Sequence, residues 1–161
     1  MKKFRYSILA AAAVALTVVT ASSALVAKPI PFTGKYSGHA STLVNGNTVT
    51  IAATGTGKAT LLGAGKITGN GTGDSSQQPC VPFGGTGKIT GTAGTTITYK
   101  LAPGASSCGD EGGHNFSVTA HLTVVKATGK LAKAKGTLKL TGSFNHDDGT
   151  FTIKLTGTLR K

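Results

Sequence analysis

The residues able to do chemistry are few and fall mainly in two short segments. Asp110, Glu111 and His114 lie within five positions of one another, and His146, Asp147 and Asp148 are consecutive. A carboxylate beside an imidazole can act as an acid/base pair or hold a cation. The same segments carry Gly109, Gly112, Gly113 and Gly149. They therefore also describe solvated turns whose Asp side chains bind their own backbone. The turn reading is the simpler one for both. Adding Asp74 completes the five carboxylates, and each falls in an expected loop. No catalytic residue, metal site or cofactor is assigned on this basis. His121 shares its parity with Thr119 and Thr123 and so faces outward, His39 lies between Gly38 and Ala40, and neither carries an assignment.

Other constellations are incomplete. Lys58, Lys66, Lys88 and Lys130 each follow a glycine, but none is followed by the Ser/Thr of a phosphate-cradling loop. Ser106 lacks the glycine two positions on that a nucleophile elbow requires. Cys80 and Cys108 are the only cysteines, too few for a zinc site and without redox spacing. In an exported chain they read as one structural disulfide, worth ~3–4 kcal/mol on the chain-entropy account.

Two groups remain as candidate binding residues. Tyr36 and Tyr99 fall on inward strand positions, where a phenol needs a hydrogen-bond partner. They are either ligand-lining groups or core tyrosines near a barrel end. Lys126, Lys130, Lys133, Lys135 and Lys139 crowd into 14 positions and form a candidate anion-binding patch. Such a patch would attract an envelope polysaccharide, a phospholipid surface or nucleic acid. No aromatic residues interleave with it, so specific nucleic-acid binding is not expected. Lysines at such places also guard sheet edges.

The elements that must position these residues follow from the whole chain. It has 161 residues, a formal charge of +12 and 24 glycines, with 39 % hydrophobic and 14 % charged residues. Glycine has no third-residue period, which excludes a collagen helix, and the apolar content excludes general disorder. Residues 1–27 have the layout of a secretory signal peptide: Lys2, Lys3 and Arg5, then the apolar run Ile8–Val19, then small residues. The expected cut follows Ala27, with one after Ala24 nearly as good. The 12-residue run is too short to span a membrane, which takes ~20. Residues 28–161 then form one exported domain of net charge +9, secreted or periplasmic, without a transmembrane anchor.

Period-two alternation dominates this domain. Phe151, Ile153, Leu155 and Leu159 share one parity, as do Leu138, Leu140 and Phe144, and Phe116, Val118, Ala120, Leu122 and Val124. Ile97, Tyr99 and Leu101 repeat the pattern, as do Val49, Ile51 and Ala53. Tyr36–Val44 reads as the first strand, and 56–72 and 86–92 as weaker glycine-rich strands. Residues 74–85 and 102–113 read as two long loops, each with one cysteine, stapled over one barrel end. The expectation is an all-β fold, an antiparallel barrel of about eight strands, with a two-sheet sandwich as the alternative.

The stretch Ala127–Gly136 joins a Thr-Gly turn, a basic and an apolar residue, and Ala-x-Gly leading into a strand. With the hairpin Thr137–Leu159 it resembles the dirigent and allene oxide cyclase-like barrels over roughly the last 35 residues. Ala127 stands where that pattern commonly has Gly, and Leu131 where it has Phe. The resemblance implies an eight-stranded barrel, often a homo-oligomer, with a cavity for a small hydrophobic molecule. Some members steer radical coupling or cyclise an epoxide. None of their catalytic residues transfers to a position here. The functional expectation is an exported, non-enzymatic barrel that binds a small apolar ligand or an envelope component. The alternatives are a dirigent- or cyclase-like enzyme and a basic surface adhesin for anionic polymers.

Overall fold

The computed structural model describes residues 28–161. The expected signal peptide, 1–27, lies outside the described residues. Nine strands follow in chain order: β1 (Pro29–Asn45), β2 (Thr48–Ala59), β3 (Gly63–Asp74), β4 (Cys80–Thr90), β5 (Thr96–Leu101), β6 (Ser106–Gly109), β7 (Asn115–Ala127), β8 (Lys135–Asn145) and β9 (Thr150–Arg160).

Alternating apolar and polar residues make each strand two-faced, so the apolar faces must meet around one core. They do so as a closed antiparallel barrel. β1 to β5 pair in sequence, β5 pairs with β7, and β7, β8 and β9 pair in sequence. The ring closes where β9 returns to β1, from Pro29↔Arg160 to His39↔Thr150. That closure leaves a barrel of eight strands rather than a sandwich, and it removes the open edges that a Thr-rich sheet would otherwise present. The ninth strand, β6, extends the line of β5: both lie between β4 and β7, with the irregular segment 102–105 between them.

Three sequence expectations change. β1 begins at Pro29 rather than Tyr36, because Phe32 belongs to the same inward face as Tyr36. The glycine-rich run 56–72 is broken by a turn at 60–62, where Leu61 takes a positive φ of 64°. The two cysteine-bearing loops are in large part strand. Cys80 opens β4 and Cys108 lies in β6, directly opposite one another with Cα atoms 3.9 Å apart. Their disulfide therefore links neighbouring strands instead of tying two loops together.

In an up-and-down barrel, alternate connections share an end. The turns 46–47, 75–79, 110–114 and 146–149 gather at one end, here called the mouth. The turns 60–62, 91–95 and 128–134, with the chain ends at 28 and 161, gather at the other, the base. The base is packed solid. Leu62, Ile89, Ile97, Leu131, Leu155 and Leu159 have no exposure. Each such side chain contributes roughly 1.5–3 kcal/mol on leaving water. Leu131 sits in the short 3-10 turn Gly129–Leu131, and Ala134 follows it into the core. Gly129 has φ of +59°, and a Cβ there would stand 2.6 Å from Thr95 Oγ1, so glycine is required on both counts.

Candidate functional site

The mouth half of the barrel is hollow. A cavity of about 310 Å³ opens between the mouth turns, within the size range of small-molecule sites. Strand alternation supplies its walls. Val49, Ile51, Phe83, Phe116, Phe144 and Phe151 are among its apolar lining. Small residues also line it: Ala40 on β1, Ala53 on β2, and Gly69 and Gly71 on β3.

Tyr99 is part of the lining and is itself buried. Its hydroxyl donates to the Thr68 carbonyl oxygen at 3.1 Å. Its ring end crosses Gly87, where a Cβ would meet the hydroxyl at 2.3 Å, so the missing side chain makes room for the phenol. Burial pushes its pKa up to about 12, so it stays neutral at physiological pH. Tyr36, the other candidate ligand-binding residue, lies outside the cavity lining and takes the core alternative. It is buried in the core, 1 % exposed, and its hydroxyl has no hydrogen-bond partner among the described residues. Burial raises its pKa to about 12 as well.

The rim combines aromatic and acidic groups. Phe116, Phe144 and His146 all border the cavity, with ring centroids 6.2, 6.3 and 6.4 Å apart pairwise. The two polar segments noted in the sequence come together here, which their separation in the chain concealed. His114 Nδ1 meets Asp147 Oδ2 at 2.8 Å across the two turns. That carboxylate raises the imidazole's pKa. Asp110 accepts from the backbone N–H groups of His114 and Asn115 and from the Asn115 side chain, which lowers its own pKa. Asp74 is held low by Ser76, and Asp148 by Thr150, through paired side-chain and backbone hydrogen bonds. These are turn-forming contacts of the kind that short acidic loops make. Among the described residues no group of three or more His, Cys, Asp or Glu side chains is placed to hold a metal ion.

Charge is sorted between the two ends. All five carboxylates sit at the mouth: Asp74 at the end of β3, Asp110 and Glu111 between β6 and β7, Asp147 and Asp148 between β8 and β9. No mouth turn contains Lys or Arg. The lysine cluster lies at the other end and on the lower wall. Lys126 is the next-to-last residue of β7, Lys130 and Lys133 lie in the connection across the base, and Lys135 starts β8. Lys139 is exposed on the outer face of β8. Lys28, Arg160 and Lys161 join them at the chain ends. Lys135 Nζ donates to the Val125 carbonyl oxygen at 2.8 Å and Lys161 Nζ to the Lys130 carbonyl oxygen at 3.5 Å; Lys126, Lys130, Lys133 and Lys139 are exposed.

No protein-family model matches this chain, and no curated protein is similar enough to count as a relative.

Proposed function

We propose that the protein is an exported barrel that holds a small, largely apolar molecule in its mouth half. One observation carries this reading: a barrel packed to full burial at its base encloses an apolar-walled space of about 310 Å³ at the other end. Small domains seldom leave apolar volume unfilled, because every lost contact weakens the fold. The disulfide suits an oxidising compartment, as the expected signal peptide would require. The resemblance of residues 127–161 to dirigent-like barrels supports a hydrophobic ligand. It leaves room for catalysis only if a polar pair faces that ligand. No carboxylate belongs to the cavity lining and the Tyr99 hydroxyl is engaged by Thr68, so binding is the reading favoured here. The test is uptake of an apolar fluorophore by the protein and by Ala53→Phe, which fills the cavity from β2. Fluorescence should rise with the native protein and stay flat with the variant, whose unfolding midpoint should not fall. Equal uptake by both, or none by either, rejects the reading.

A second reading is favoured by the sorting of charge. The base, where Lys126, Lys130, Lys133 and Lys135 gather without a carboxylate, would attach to an anionic envelope polymer. Retention on an anionic matrix should be lost when Lys130, Lys133 and Lys135 become Gln. Unchanged retention removes that role.

A further inference from the structure

We infer that the cavity selects an apolar molecule with a cationic, ammonium-type head, and discriminates against carboxylate-headed amphiphiles of the same length. This inference rests on the cavity reading above and adds the chemistry of the ligand's exposed end.

Two independent features point the same way. The first is the rim charge. Any molecule seated in the cavity with its apolar part inward must leave its polar end among the mouth turns. Those turns and their strand ends carry Asp74, Asp110, Glu111, Asp147 and Asp148, and no Lys or Arg. Along the strands the mouth-side stretches 37–57, 67–87, 101–125, 140–153 are likewise free of Lys and Arg. The nearest strand lysines, Lys66, Lys88, Lys100, Lys139 and Lys154, lie below these stretches and are exposed on the outer face of the wall, where salt screens them. A low-dielectric opening lined by one sign of charge concentrates ions of the opposite sign. His114 offsets part of this field only when protonated, through its contact with Asp147.

The second feature is the aromatic cluster. Phe116, Phe144 and His146 pack against one another at the cavity border, from adjacent strands β7 and β8 and the turn beyond. Phe116 and Phe144 are directly opposed in the β7–β8 register. Aromatic faces attract organic cations, and Phe rings do nothing comparable for a carboxylate. An ammonium head at the rim would therefore meet ring faces on one side and carboxylates around it. A carboxylate head would meet like charge and no donor pair from Lys or Arg. The polar groups that line the cavity, such as Asn70, Gln78 and Ser143, are uncharged, and the Tyr99 hydroxyl is already committed to Thr68, so the lining itself supplies no cation for a carboxylate head.

The experiment is competition at low ionic strength. The protein, loaded with a neutral apolar fluorophore, is titrated with decyltrimethylammonium, decanol and decanoate, each below its micelle concentration. The expected order is ammonium first, decanol second, decanoate last, with at least a tenfold gap between the two ions that narrows as salt is added. Phe144→Leu keeps apolar bulk and removes a ring face. It should lower the preference for ammonium over decanol about two- to five-fold. Glu111→Gln removes a rim charge from a side chain that makes no hydrogen bond among the described residues, and should narrow the gap between the ions. If the fluorophore is not taken up at all, the cavity reading itself fails. If it is taken up but decanoate competes as well as the ammonium, or none of the three displaces it, the head-group inference fails and the cavity reading stands.

Discussion

The base and the mouth of this barrel are built from the same strands but are held together differently. At the base, backbone and threonine hydroxyls hold the connections. Thr33 and Thr60 bond each other, Thr96 and Thr128 do the same at 2.8 Å, and Thr92 donates to the Leu62 carbonyl oxygen. None of these groups titrates in the physiological range, and the side chains beneath them are buried. At the mouth the connections are held by carboxylates and an imidazole, and the interior behind them is open. The difference separates two tasks. One end supplies the packing that keeps the ring closed, and the other keeps volume, charge and exposed rings available.

The largest expected effect tests the packing half of that contrast. Leu131→Ala removes a fully buried side chain from the base and should destabilise the fold by ~2–5 kcal/mol. Val49→Ala truncates a cavity-lining residue that already faces open space, so it creates little new void and should cost under ~1 kcal/mol. Chemical denaturation of both variants checks this. Equal losses would mean that the mouth half is packed in solution.

A smaller effect separates the two tyrosines. Tyr99→Phe removes the donor to Thr68 and should cost ~1 kcal/mol. Tyr36→Phe removes a buried hydroxyl that has no partner among the described residues, so it should leave stability unchanged or raise it by up to ~1 kcal/mol. Thermal unfolding midpoints should move in opposite directions, or only the Tyr99 variant should move. A drop for Tyr36→Phe as large as for Tyr99→Phe would show that its hydroxyl is satisfied.

The smallest effect concerns pH and belongs to the mouth alone. Asp74, Asp110 and Asp148 have lowered pKa values, so their contributions are present above their ordinary 3.8 and are lost as pH falls through the folded values. His114 has a raised pKa, so its contribution is present below its ordinary 6.5 and is lost as pH rises through the folded value. The mouth turns should therefore be best ordered between pH 3.8 and 6.5. Amide hydrogen exchange, corrected for intrinsic rates, should show protection of Ser76, Asn115 and Thr150 falling on acidification. Ala132 and Ala134 at the base, whose amides donate to carbonyl oxygens, should hold theirs. Uniform loss at both ends would erase the distinction.

Much of the fold was legible in the sequence because side chains on a strand alternate strictly. Parity alone placed Phe116 to Val124, Leu138 to Phe144 and Phe151 to Leu159 inward, and all of those faces point in. Parity was less useful where glycine replaced one face, and there the turn at 60–62 and the start of β4 at Cys80 escaped notice. The site was less legible. Tyr36 and Tyr99 share inward parity, yet one is core and the other lines the cavity. Phe116, Phe144 and His146 were visible as single residues, and nothing local marked them as one cluster.

By itself, the sequence determined which way each residue of a regular strand faces, how many cations and carboxylates the domain carries, and which two cysteines can pair. Those properties follow from local geometry and composition. The tertiary structure decided height along the barrel. Glycines occur on inward positions toward both ends, as at Gly65 and Gly71, so composition could not say which end stays hollow. The base connection that carries Leu131 and Ala134 into the core fills one end, and nothing equivalent enters the other. Charge sorting depends in the same way on pairing order. Only when neighbours in sequence are also neighbours in the ring do alternate turns share an end, and that places every carboxylate at the mouth and the lysine cluster at the base.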